Sequence, residues 1–87
     1  MASIQEAKAA LMQSAERGDG TLNQIRSATE QTEQVLTRLR AVAAGTGHPK
    51  IGKAIQRAEH SKRHLTEAGT LIQGGATAAR EYVSVLG

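Results

Sequence analysis

Two histidines four residues apart, His60 and His64, are the residues whose type and spacing first suggest chemistry. On a helix they share a face, and two imidazoles at that spacing can hold a zinc ion. A zinc-protease helix also carries a glutamate inside the pair, next to the first histidine, as general base. Here the segment reads His60-Ser61-Lys62-Arg63-His64, with Glu59 before it rather than within it. The two cations between the histidines oppose a third positive charge. The expected reading is a pair of solvent-exposed histidines and no metal. No serine is grouped with a histidine and an acid, and no glycine loop has phosphate-binding spacing. Gly18-Asp19-Gly20 lacks the further oxygen ligands of a calcium loop. There is no cysteine, which removes disulfides and thiolate ligands. The chain is expected not to be an enzyme, to need no cofactor and to take no small-molecule substrate.

The same helix face offers a different kind of chemistry. Lys50, Lys53, Arg57, His60 and His64 recur at helical spacing and share an arc of about 80°. Such a row is either a solvated face or a docking strip for an acidic protein or for phosphates. The net charge is +3. Through Gly45, Lys8, Arg17, Arg26, Arg38 and Arg40 are matched by Glu6, Glu16, Asp19, Glu30 and Glu33, so the excess lies wholly in the second half. Nucleic acid is disfavoured as a partner, because Tyr82 is the sole aromatic residue and base stacking needs more. A membrane-surface helix is disfavoured for lack of Trp and Phe anchors. No apolar run reaches the ~20 residues of a membrane span. Met1-Ala2-Ser3-Ile4-Gln5-Glu6 does not begin like a secretory signal. The expected location is the cytoplasm, or outside the cell by a route without a cleavable signal peptide.

The elements that position these residues are two long helices. Ser3-Ile4-Gln5-Glu6 has the form of a capping box. From it a seven-residue repeat runs as Ile4, Leu11, Gly18, Ile25, Thr32, Leu39, beside Lys8, Ala15, Leu22, Thr29, Leu36, Ala43. Both rows keep phase across Gly18-Asp19-Gly20. The spacing therefore predicts one bent helix over about 3–44, with a break at Gly20 as the alternative. Gly45-Thr46-Gly47-His48-Pro49 forms the turn: glycine supplies a left-handed helix end and proline suits the first turn of the next helix. A second repeat over 49–86 reads Ile51, Ala58, Leu65, Ile72, Ala79, Leu86, beside Ala54, Ser61, Ala68, Gly75, Tyr82. The fold class is all-α, an antiparallel two-helix hairpin forming one domain over 1–87, with helices roughly 60 Å long.

A hairpin turning near Thr46 and Gly47 pairs residues whose numbers add to about 93 or 94. The expected seam is Leu11, Leu22, Ile25, Leu36, Leu39, Ile51, Leu65, Ile72 and Tyr82. Leu11 faces Tyr82 in this register, Thr32 and Ser61 form a polar layer, and Gly18 meets Gly75. Val35, Leu71, Val83 and Val85 fall off or at the edge of the seam and form a candidate partner surface. A core without Phe or Trp, rich in alanine, makes a lone hairpin marginal. Pairing with itself or with a related hairpin into a four-helix bundle is the expected remedy.

A leaderless chain of under a hundred residues, with two long antiparallel helices and a glycine-bearing turn at mid-chain, resembles the WxG family of type VII secretion substrates. In that family the turn carries Trp-x-Gly, and Tyr-x-x-x-Asp/Glu follows the hairpin. The matching stretches here are Gly45-Thr46-Gly47 and Tyr82-Val83-Ser84-Val85-Leu86, without the tryptophan and with Leu86 in place of the acid. Abundant Ala, Gly and Thr, and Arg in excess of Lys, suit a GC-rich actinobacterial genome. The resemblance implies a helical hairpin that pairs with a partner hairpin, serves as partner or adaptor to a larger protein, and is exported without a cleaved leader.

Overall fold

The computed structural model describes residues 3–87, and these form two helices, α1 (Ile4–Gly45) and α2 (Pro49–Leu86), lying antiparallel as a hairpin. Ser3 caps α1: its hydroxyl accepts from the Glu6 N–H at 3.1 Å, one half of the expected capping box. Helix α1 is continuous through Gly18-Asp19-Gly20, so the unbroken phase of the repeat prevails over the helix-weakening glycines.

The turn differs from expectation in its backbone. Neither Gly45 nor Gly47 adopts a left-handed conformation; among the described residues only Gly87 has a positive φ. Gly45 is the last residue of α1, and Thr46 ends the helix in an extended conformation, its N–H bonded to the Ala43 carbonyl at 3.3 Å. Side chains then do what the glycines were expected to do. Thr46 Oγ1 accepts from the His48 N–H, and His48 Nδ1 accepts from the Lys50 N–H at 3.2 Å, which makes His48 the N-cap of α2. Pro49 occupies the first helical position, where its missing N–H costs nothing.

Each helix turns a seven-residue stripe inward. On α1 every member of the two predicted rows except exposed Ile4 is buried or half-buried. On α2 the Ile51–Leu86 row is half-buried throughout, but its companion lies one residue further along than expected: Ile55, Lys62, Gly69, Ala76 and Val83. Tyr82 therefore leaves the seam and is 55% exposed, while Val83, expected on the outer face, turns inward. Ser61 and Gly75 are exposed for the same reason. Spacings of four then three repeat from Ile51 to Leu86, the 3.5-residue period of a left-handed supercoiled pair.

The predicted register of the backbones survives this rotation. A Cβ added at Gly18 would lie 3.4 Å from the Ala76 Cβ, and one at Gly69 would lie 3.5 Å from the Ile25 Cγ2. Gly69, buried against Leu22 and Ile25, is the point where the helices need the missing side chain. The expected Thr32–Ser61 polar layer dissolves. Thr32 donates its hydroxyl to the Ala28 carbonyl and Thr29 to that of Ile25, each at 2.8 Å, so both are satisfied within their own helix.

On α2 a charged side chain enters the seam at Lys62. Half-buried in a row of apolar and small residues, it reaches Glu33 with Nζ to Oε2 at 2.9 Å. The hydrogen bond from Lys62 holds the Glu33 carboxyl below its ordinary value of 4.5. A carboxyl with a lowered folded pKa contributes stability that is complete above its unfolded pKa and is lost as pH falls through the folded one. The melting temperature is thus expected to drop on acidification below about pH 4.5, and Glu33→Gln to flatten that drop in a pH series of thermal melts. An unaltered profile in the variant would remove Glu33 as the source.

Candidate interaction surface

Little of the hairpin is inside. Among the described residues Ala15, Leu36 and Ala76 are the buried apolar ones, and Leu36 is the one large side chain wholly shielded from water. The hairpin measures 63 × 19 × 15 Å, with a radius of gyration of 19.4 Å. A compact chain of this length has a radius of about 12 Å. Its accessible surface is 6439 Å², some 1,500 Å² above the roughly 4,900 Å² of a compact monomer of equal mass. Ile4, Met12, Val35, Val42, Leu71, Tyr82 and Val85 remain exposed, Leu71 at 77% and Val85 at 80%.

The two edges of the seam are unlike. In an antiparallel pair, residues just outside the stripe of one helix face their equivalents on the other. One edge joins Met12, Asp19, Arg26, Glu33 and Arg40 of α1 to Gly52, Glu59, Thr66, Gln73 and Arg80 of α2. All three interhelix ion pairs of the described residues use it: Asp19 with Arg80, Glu33 with Lys62, and Arg40 with Glu59 at 3.4 Å. Arg80 is held protonated more firmly than a free guanidinium by its hydrogen bond and charge contact with Asp19. Two shallow grooves lie along the same edge, one of about 310 Å³ beside Asp19, Leu22 and Arg80, and one of about 370 Å³ over Gly69, Ile25 and Leu65.

The opposite edge carries no charge. It joins Ala7, Ser14, Thr21, Ala28, Val35 and Val42 of α1 to Ala54, Ser61, Ala68, Gly75 and Tyr82 of α2. Leu71 and Val85 stand on the adjoining outward row of α2, three residues beyond Ala68 and Tyr82, and that row continues toward the turn as His64, Arg57 and Lys50. Five of the seven exposed large apolar residues thus share one side of the hairpin. Of the candidate partner surface expected from the sequence, Val35, Leu71 and Val85 are exposed on this side and Val83 is not, while Val42 and Tyr82 join it only once the second row of α2 is placed correctly.

The basic row lies outward at the turn end of α2. Lys50, Lys53, Arg57, His60 and His64 are all exposed, and a surface notch of about 320 Å³ is lined by Lys50, Lys53, Ala54 and Arg57. None of the five takes part in an ion pair among the described residues. The first turn of α2 has no acid, so Lys50 and Lys53 work against the helix dipole. The His60 and His64 rings are 4.3 Å apart and tilted by 48°, and no third His, Cys, Asp or Glu joins them in a metal-binding group among the described residues.

No described helix is long and apolar enough to cross a membrane. Comparisons of the chain with protein-family models, curated proteins and solved structures find no match.

Proposed function

We propose that this chain is a non-enzymatic pairing module, a helical hairpin that completes its apolar burial against a second hairpin to form a four-helix bundle. The observation that carries this reading is the imbalance, among the described residues, between three buried apolar residues and seven large apolar residues left in water. A hairpin with so small a core gains stability most directly by association. The resemblance to WxG hairpins extends the reading to a partner or adaptor for a larger protein, kept in the cytoplasm or exported without a cleaved leader.

Light scattering over a hundredfold concentration range tests it. The expected result is twice the mass of the 87-residue chain, falling toward the monomer on dilution. Val35→Asp is expected to keep the helical signal and weaken association tenfold or more. A helical monomer at every concentration would remove self-pairing and leave a different hairpin as the partner.

A further inference from the structure

We propose that the strip of Lys50, Lys53 and Arg57, at the turn end of α2, is a docking site for an acidic segment of another protein. This site is independent of pairing, because its side chains are exposed on a single hairpin and lie outside the seam.

Charge is segregated more sharply than the net +3 of the chain suggests. Residues 34–58, the turn with the adjoining end of each helix, hold five basic side chains and no acidic one, for a net +5. The other residues hold six basic and eight acidic, for a net −2. Of the five cations, Arg40 reaches Glu59 across the seam. Arg38, Lys50, Lys53 and Arg57 enter no ion pair among the described residues. The other cations of α2 are answered. Lys62 meets Glu33 and Arg80 meets Asp19, and Arg63 stands four residues from both Glu59 and Glu67, within helical reach. Lys50, Lys53 and Arg57 have no acid three or four residues away. They stand three and four residues from one another instead, a like-charge spacing that weakens a helix. Lys50 and Lys53 also occupy the opening turns of α2, at the positive end of its dipole. An arrangement that costs the free hairpin stability is relieved by a bound anion.

The spacing selects the occupant. Lys50 and Arg57 lie on one row, about 10 Å apart at the rise of an α-helix, with Lys53 between them on the adjoining row. The notch of about 320 Å³ lies among these three and Ala54. One phosphate needs donors that converge on a point. Cations strung along two turns instead match carboxylates that recur along a polypeptide. The Arg57 guanidinium suits a carboxylate, since the two planar groups form paired hydrogen bonds. His60 and His64 continue the two rows and offer further N–H donors, up to Glu67, three residues past His64, where the strip ends. Nucleic acid fits less well, because residues 34–58 contain no aromatic side chain to stack on a base.

The probe is a fluorescein-labelled oligoglutamate peptide, its binding to the full chain read by fluorescence anisotropy at low salt, where screening is weak. The double variant Lys53→Gln, Arg57→Gln is compared with Arg17→Gln, Arg26→Gln, which removes equal charge from exposed positions nearer the open end. All four positions lie outside the seam, so both variants are expected to keep the helical circular dichroism of the parent. A tenfold or greater loss of affinity is expected in the first variant and less than a twofold loss in the second. Equal losses would mean attraction by net charge alone and overturn the site, as would a parent chain that does not bind the peptide. Unlabelled oligoglutamate, a single-stranded oligonucleotide and tripolyphosphate then compete for the bound probe at equal total charge. The peptide is expected to displace it at the lowest concentration. Stronger displacement by either phosphate compound overturns the acidic polypeptide as the occupant.

Discussion

Leu36→Asp is expected to abolish the helical circular dichroism of the chain at room temperature. Leu36 is 1% exposed and is the largest wholly buried side chain. Truncating a buried leucine costs about 2–5 kcal/mol. A carboxylate placed there adds the cost of burying an unpaired charge, against a total stability of roughly 5–15 kcal/mol for an ordinary domain. A hairpin with three buried apolar residues among those described belongs at or below the bottom of that range. Leu36→Ala should lower the melting temperature while leaving a cooperative transition, and the neighbouring Val35→Asp should leave the helices intact. If Leu36→Asp melted like the parent, the described seam would be wrong.

The second large effect has the opposite sign. Gly20, Gly52 and Gly74 lie within helices, are exposed, and have no atom within 4 Å of the place an added Cβ would occupy. Each costs its helix about 1 kcal/mol relative to alanine through backbone entropy. The triple variant Gly20→Ala, Gly52→Ala, Gly74→Ala is expected to gain about 2–3 kcal/mol, raising the melting temperature of a chain this size by ten degrees or more. The melts must be compared at one protein concentration, because association also raises stability. Gly69→Ala is the control with a different outcome. Its Cβ would lie 3.3 Å from the Leu22 Cδ1, inside the tight part of the seam, so the helix gain is opposed by displacement of Leu22. A triple variant no more stable than its parent would show that the glycines serve a purpose the hairpin alone does not reveal.

The hairpin, its turn and its register were legible because long seven-residue repeats and a Gly-to-Pro segment are strong signals that reinforce one another. The α1 rows were read correctly through Gly18-Asp19-Gly20 on phase alone. The companion row of α2 was misread by one residue for two physical reasons. Lys62 interrupts the true row, and a lysine reads as exposed unless its partner, Glu33, is known to lie across the seam. Tyr82 was drawn inward because it continues the Ala54, Ser61, Ala68, Gly75 row at seven-residue spacing. His48 was missed as a cap because imidazole is an uncommon N-cap, and Thr46 because glycine was expected to end the helix. The difference between the edges could not be read from spacing. It depends on knowing which residues flank the seam on both helices at once.

A hairpin of this form carries both of its chain ends at one pole and its turn at the other. The two poles stand a rod's length apart, about 63 Å. Whatever is joined at the turn, a tag or further polypeptide, would then emerge far from what is joined at the open end. A flexible linker needs more than about 100 residues for its average span to bridge that gap. The hairpin would act as a spacer, holding two attachments apart and letting both engage only targets spread at a matching distance.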